Sequence, residues 1–317
     1  MRRPGRRSKT AESPNAMKLA LKIDVGTLRG TREGAPNLVE ILRRHDAGAT
    51  FVFSVGPDLT GRAALRVLGQ GGAADYGFRS LFYGTLLPPP DIGRRAGEVM
   101  RLVRDAGFET GLHAWAPVRW QARAAGAAVA WTEAEMQRGV DRYAEILGEL
   151  PRLHAAAGWQ MSAHALRMTQ RLAFDYASDG RGTHPHLPVW RGELIRCPQF
   201  PTTLPALPEL LALDGVSIDN VAAHLLERTA EPPAAGHLFT LCAEREGRRF
   251  APVLEQLIVG WKAQGYALVP VRALRDAVEP LALPRCEVEF GTLPGRDGTV
   301  LLQGREFLAD VDLARAT

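Results

Sequence analysis

The chain has 317 residues, of which 46% are hydrophobic, and this is enough apolar material to bury a large core. Its formal net charge of +4 comes from residues 1–16, because the rest of the chain has 39 − 5 = 34 basic and 35 − 1 = 34 acidic side chains. A neutral body without clustered Lys and Arg argues against nucleic acid as a partner.

Residues 1–16 are rich in Arg, Pro and Ser and contain no apolar stretch that resembles a signal-peptide core, so we predict a disordered basic tail there. Met17 lies directly before the first strand-like segment. Two alternatives stay open for the start, Met1 or Met17. Two also stay open for the tail, which is either inert or a polybasic anchor for an anionic membrane surface.

The cysteines and the apolar runs indicate the compartment. Cys197, Cys242 and Cys286 are odd in number and have no CxxC spacing, which favours a reducing, cytoplasmic environment. No run of 18 apolar residues occurs, so no membrane-spanning helix is predicted.

Short apolar segments alternate with amphipathic ones along residues 17–317. The predicted strands are residues 19–24, 50–55, 110–113, 153–157, 174–178, 194–197, 237–242 and 267–271. The predicted helices lie between the first two strands and at residues 92–106, 131–147, 163–172, 219–228 and 251–264, and the capping-box spacing of Thr132 and Glu135 predicts where the third begins. This alternation predicts one parallel sheet that closes into a distorted (β/α) barrel, in a single domain from residue 17 to residue 317.

Two segments do not follow the alternation. Residues 73–90 fit neither a strand nor a helix and are predicted to cross one rim of the barrel, either as a packed loop or as a lid or membrane-touching flap. Residues 287–303 are predicted to form a C-terminal β-hairpin around the turn at 294–298, which closes an edge of the barrel.

Polar residues follow the predicted strands where each strand ends. They are Asp24, His113, Trp159, Asp179 with Arg181, and Cys242 with Glu244. In a parallel barrel the carboxyl ends of the strands meet at one rim, and reacting groups are drawn from that rim. The sequence therefore predicts a pocket there.

Five segments in this order resemble the NodB-homology polysaccharide deacetylases, and within them the deformylases of 4-deoxy-4-formamido-L-arabinose carried on undecaprenyl phosphate. They are KIDVGTLRGTREG (22–34), GLHAW (111–115), AAAGW (155–159), SDGRG (178–182) and AEREG (243–247). The resemblance implies a distorted (β/α) barrel with a divalent, zinc-like metal at its mouth. It also implies hydrolysis of the formamide of an undecaprenyl-phosphate-linked sugar, peripheral to the cytoplasmic face of the inner membrane, in the lipid A modification that gives resistance to cationic peptides.

The family pattern contains an Asp-x-Asp with a base followed by a metal ligand, a His-x-x-x-His pair of ligands, and a late His that acts as general acid. Asp24 matches the base and His113 the first His. Gly26 and Pro117 stand where the other two ligands belong, and Cys242 stands where the acid His belongs. Since a catalytic zinc site uses three protein ligands, the resemblance implies impaired metal binding and impaired activity.

Several alternatives remain beside impaired deformylation. The chain is either that enzyme or a catalytically silent homologue that binds a lipid-linked sugar or a pathway partner. Asp24, His113 and Cys242 form a candidate mixed zinc site, or a candidate pair of thiol nucleophile and imidazole base. His184 and His186 are a further candidate ligand pair.

The predicted substrate-binding residues are Arg29, Arg32, Trp159, Asp179, Arg181 and Glu244. The arginines suit the carrier phosphate, because a guanidinium fork matches phosphate oxygens, although surface ion pairs use the same geometry. Trp159, like Trp115 and Trp120, offers a face for a sugar ring or a side chain for the core.

Overall fold

The computed structural model describes residues 17–69, 72–293 and 298–308. The predicted tail and the hairpin turn at 294–297 lie outside these described residues. The strands are β1 (Met17–Val25), β2 (Thr50–Ser54), β3 (Glu109–Ala114), β4 (Leu153–His154), β5 (Tyr176–Ala177), β6 (Leu187–Trp190), β7 (Glu193–Leu194), β8 (His237–Cys242), β9 (Tyr266–Val269), β10 (Arg285–Gly291) and β11 (Val300–Glu306).

The helices lie around this framework. They are α1 (Ala35–Arg44), α2 (Ala64–Gly69), α3 (Gly72–Tyr76), α4 (Ile92–Asp105), α5 (Pro117–Arg123), α6 (Val129–Leu147), α7 (Ala163–Arg171), α8 (Leu207–Leu211), α9 (Val221–Glu227), α10 (Ala251–Ala263) and α11 (Val271–Arg275). Their apolar faces, such as Leu38, Ile41 and Leu42 of α1, are buried against the sheet. Within the described ranges no helix has the length and apolar character needed to cross a bilayer.

The main sheet is parallel, with the strand order β5-β4-β3-β2-β1-β8, and β9 pairs with the first half of β1. An irregular segment spans the gap between β5 and β8. There the Phe200 amide donates to the Ala177 carbonyl at 2.7 Å, and the Thr203 amide donates to the Leu238 carbonyl at 3.0 Å. The predicted distorted (β/α) barrel is confirmed.

A second sheet has the order β11-β10-β6-β7. The antiparallel pair β10 and β11 is the predicted C-terminal hairpin, which is therefore confirmed. The hairpin joins the barrel beyond β5, since the Arg181 amide donates to the Leu301 carbonyl at 2.9 Å and the Gln303 amide donates to the Arg181 carbonyl at 2.8 Å. Strand β6 was not predicted because Pro188 interrupts its short apolar run.

Helix α6 begins at Val129, two residues before the predicted start, and its N-cap is Ala128, which has no capping side chain. The capping-box prediction was wrong. Thr132 Oγ1 instead donates to the Ala128 carbonyl at 3.2 Å, and Glu135 accepts from Arg119 Nε at 3.0 Å. Thr132 therefore bonds at the start of its own helix and Glu135 has a tertiary partner, so neither side chain acts as the predicted cap.

The excursion at residues 73–90 is more regular than predicted. It contains most of α3 and a 3-10 turn at Phe78–Phe82, both too short for a sequence periodicity to reveal. Asp75 is buried and pairs with Arg245 at 3.1 Å and with Arg249 at 3.3 Å. These two ion pairs connect the excursion to the loop after β8.

Candidate active site

A cavity of about 490 Å³ opens at the carboxyl ends of the barrel strands. Its lining includes Asp24, His113, Trp159, Cys242 and Glu244, which the sequence had placed at this rim. It also includes Gly26 and Pro117, which stand at ligand positions of the family pattern. The parallel register brings Asp24 level with Cys242 on the neighbouring strand. A volume of this size suits a small-molecule ligand.

Asp24 is the carboxylate at the end of β1. Its Oδ1 atom lies 3.7 Å from Lys22 Nζ and 4.0 Å from His113 Nδ1 but accepts no hydrogen bond from the described residues. Lys22 is fully buried and donates to the Ser178 carbonyl at 3.1 Å. Burial lowers the pKa of the Lys22 amine, while the neighbouring Asp24 and Asp179 oppose this shift. A lysine within an apolar strand was the sequence signal for this partner, and it was missed.

His113 projects from β3 into the cavity lining. Its Nδ1 lies 2.8 Å from the Ala155 carbonyl, and because a carbonyl only accepts, Nδ1 carries the proton. Burial lowers the pKa of the imidazole. His113 is therefore a neutral ring whose Nε2 is a hydrogen-bond acceptor.

Gly26 and Pro117, which stand at the two altered ligand positions, face each other across a small space. A Cβ atom built on Gly26 would lie 3.9 Å from Pro117 Cγ and 3.8 Å from Glu244 Oε1, which are ordinary contact distances. Neither glycine nor proline has a donor atom in its side chain. The space has room for a larger side chain at position 26, but neither Gly26 nor Pro117 provides a side-chain ligand for a metal ion.

The thiol of Cys242 donates to Glu244 Oε2 at 3.0 Å. Burial raises the pKa of this thiol well above its usual range, and the carboxylates of Glu244 and Glu246 raise it further. Cys242 is therefore a protonated thiol, which donates to Glu244 and is a poor nucleophile.

Glu244 stabilises the turn after β1. Its Oε1 atom accepts from the Gly26 amide at 3.0 Å, the Thr27 amide at 2.8 Å and Thr27 Oγ1 at 2.7 Å. Burial raises the pKa of this carboxyl. These contacts explain why the residue is needed for the local fold, while its predicted role toward substrate stays a prediction.

The donor set does not fit a three-ligand metal centre. In the part of the chain that the structure describes, no three His, Cys, Asp or Glu side chains are grouped so as to hold a metal ion. This finding weighs against the mixed Asp24, His113 and Cys242 site. The rings of His184 and His186 are 6.5 Å apart beside the second sheet, outside the cavity lining.

The predicted arginines have other partners. Arg29 pairs with Glu33 at 3.0 Å, Arg32 Nη2 donates to a backbone carbonyl of α4 at 2.7 Å, and Arg181 Nη1 donates to Glu209 at 2.9 and 2.8 Å. None of the three lines the cavity. Their contact with a phosphate remains a prediction.

Trp159 lines the cavity with an almost fully buried ring. Its backbone has a φ of +57°, a conformation that non-glycine residues rarely adopt. The Arg181 guanidinium lies over this ring, 4.7 Å from its centroid, in a cation–π contact. Trp115 and Trp120 do not line the cavity, and Trp120 Nε1 donates to the Gln160 carbonyl at 2.7 Å.

Asp179 lies beneath the cavity and not in its lining. One of its oxygens accepts from His154 Nδ1 at 2.6 Å and from the Ala156 amide at 2.9 Å, and the other accepts from Gln199 Nε2 at 3.0 Å. The side chain is fully buried. This network supports the strand ends on which the cavity is built.

The sequence reasoning missed several further lining residues, among them Asp58, Tyr76, Arg245 and Glu246. Burial raises the pKa of Glu246 to about 7, and its Oε2 accepts from the Cys242 amide at 2.7 Å. Arg245 and Glu246 directly follow Ala243 and Glu244 in the chain. This closeness to a predicted site residue was the only sequence signal that they line the cavity. Tyr76 comes from the excursion, whose path over the rim no local pattern reveals.

A parallel barrel with a cavity at its carboxyl rim, bearing Asp24 and His113 at the pattern positions, defines a barrel of the NodB-homology polysaccharide deacetylase class. The sequence matches no family model. It is 35% identical over 293 residues to a Shewanella sediminis (strain HAW-EB3) protein named "Probable 4-deoxy-4-formamido-L-arabinose-phosphoundecaprenol deformylase ArnD", with 90% of this chain and 94% of that protein covered. The chain belongs to this deformylase family.

Two solved structures show the same fold. A Mycobacterium smegmatis protein provisionally described as a polysaccharide deacetylase has a TM-score of 0.58 at 15% identity, with 86% of this chain and 94% of that chain covered. PuuE allantoinase has a TM-score of 0.57 at 15% identity, with 84% of this chain and 93% of that chain covered. At this identity the likeness concerns the fold alone.

Proposed function

We propose that this chain binds the lipid-linked arabinose sugar of its family but does not carry out metal-dependent deformylation. The named activity of the Shewanella relative supplies the sugar class, a 4-formamido-arabinose on phosphoundecaprenol. The cavity of about 490 Å³ has room for a pentose ring. Trp159 is among the residues that line this cavity, with its ring almost fully buried and Arg181 over one face.

The space between Gly26 and Pro117 is the observation that carries the loss of activity. A hydrolytic zinc needs three protein ligands and one open position for water, and only His113 of the expected ligand set remains. Changing only a residue that supports a ligand costs about 10 to 100-fold in metal affinity or activity. Removing two ligands costs more, and the protonated Cys242 thiol does not replace the acid His.

The experiment uses a soluble formamide probe, the decyl phosphate diester of 4-formamido-4-deoxy-L-arabinose. We expect titration calorimetry to show that the unaltered protein binds this probe, and mass spectrometry to show no release of formate. Purified Shewanella relative, assayed in parallel, verifies that the probe is a substrate. Formate release that a chelator abolishes in the unaltered protein would contradict the proposal.

We further propose that segment 59–90, which includes the excursion, contacts a membrane surface. Leu65, Phe78 and Leu86 are 89%, 73% and 79% exposed, and α2 also contributes to the cavity lining. Arg62, Arg66 and Arg79 are the basic residues of segment 59–90. Its one acidic residue, the buried Asp75 described above, is already paired. An apolar surface with positive charge suits an anionic bilayer.

Replacing Leu65 and Phe78 together with Ser is expected to weaken binding to vesicles of phosphatidylglycerol and phosphatidylcholine by about 10-fold or more, since burying each apolar side chain contributes about 1.5–3 kcal/mol. Sedimentation with vesicles measures this. Leu281→Ser is the matched control, because Leu281 is 80% exposed on a different segment. Equal losses in the control, or none in the double variant, would exclude this surface.

A further inference from the structure

Three hydrogen-bond donors at the end of the cavity around Asp24 are already engaged. The Cys242 thiol donates to Glu244 at 3.0 Å, and Thr27 Oγ1 donates to the same carboxyl at 2.7 Å. The Nδ1 proton of His113 is held by a backbone carbonyl at 2.8 Å. These three groups therefore have no proton to offer to an incoming oxygen atom.

The acceptors at this end are unsatisfied. The Asp24 side chain is 20% exposed, and its buried Oδ1 atom accepts no hydrogen bond from the described residues. His113 lines the same space, and its Nε2 is an acceptor because Nδ1 carries the proton. A ligand that fits here must bring donors.

We infer that this end of the cavity takes the ammonium group of an amino sugar, the deformylated pentose, in preference to its formamide. This inference rests on the proposed sugar-binding function. An ammonium group brings three N–H donors and no acceptor, which matches Asp24 and His113 Nε2. A formamide brings one N–H donor and a carbonyl oxygen, and that oxygen meets no free donor among the three groups named above.

The test compares two probes that differ only in the formyl group, the decyl phosphate diesters of 4-amino-4-deoxy-L-arabinose and of its N-formyl counterpart. At a pH where the amine is protonated, we expect calorimetry on the full chain to show about 10 to 100-fold tighter binding of the amine, because hydrogen bonds to charged groups are the stronger ones. Asp24→Asn is expected to remove this difference. Asp214→Asn, which removes a carboxylate from an exposed position outside the cavity lining, is expected to preserve it.

Each outcome is decisive. Equal affinity for the two probes, or tighter binding of the formamide, overturns the inference and leaves the sugar-binding proposal in place. If neither probe binds, both the inference and the sugar-binding proposal are overturned. If Asp24→Asn does not fold, as judged by its thermal unfolding, the comparison of the two probes on the unaltered protein still decides.

Discussion

Replacing Gly26 with Asp, Pro117 with His and Cys242 with His is expected to turn this chain into a deformylase that chelators inhibit. The first two changes restore ligands beside His113, and the third restores a general acid, which alone contributes about 10² to 10⁴-fold. We therefore expect formate release from the formamide probe at least about 10²-fold faster than from the unaltered protein. Metal analysis of the purified variant is expected to show bound divalent metal.

The space around position 26 makes this variant feasible. The built Cβ meets nothing closer than 3.8 Å, and Gly26 has no left-handed backbone that would strain an aspartate. Pro117 is the first residue of α5, where the helix does not depend on proline. Gly26→Asn with the same two His changes is the matched control, since it has a similar volume without the carboxylate. A folded triple variant without metal or turnover would show that the cavity differs from the family in more than these positions.

The rim of the cavity was predictable because it depends on strand direction. Asp24, His113 and Cys242 each end an apolar run, and parallel strands bring such ends together whatever the details of packing. The register of Asp24 with Cys242 follows from that topology. The loss of two metal ligands was also visible in the sequence. Gly26 lies two residues after Asp24 and Pro117 lies four residues after His113, at the spacings of the family pattern.

What the sequence could not reveal depends on tertiary partners. The π-helical turn at Gly30–Gly34 directs Arg29 and Arg32 toward Glu33 and α4, away from the cavity, and no local pattern predicts that choice. Tyr76 reaches the cavity because the buried Asp75 pairs with arginines after β8, far away in sequence. Contacts of this range are decided by the whole fold.

Asp179 was predicted to bind substrate at the rim, but its buried hydrogen bonds indicate that it stabilises the fold. We expect Asp179→Ala to lower the free energy of unfolding by about 3–5 kcal/mol, because breaking a buried charged network leaves its partners uncompensated. His154 Nδ1, the Ala156 amide and Gln199 Nε2 would all lose their acceptor in a fully buried place. Urea unfolding measures the change. Asp141→Ala, on the exposed face of α6, is the control and is expected to stay within about 0.5 kcal/mol of the unaltered protein.

The Asp179→Asn variant distinguishes two roles of Asp179, a structural role in holding the strand ends and a direct contact with the substrate. An asparagine keeps the volume and one acceptor oxygen, so we expect a smaller loss of stability than for Asp179→Ala. Because Asp179 does not line the cavity, the Asn variant, once folded, is expected to bind the amine probe as tightly as the unaltered protein does. Weaker probe binding by an Asn variant of normal stability would mean that Asp179 reaches the ligand, as the sequence predicted. Normal binding together with lowered stability would instead mean that the residue holds the ends of β4 and β5 in place, so that Asp24 and His113 meet the sugar in the right position.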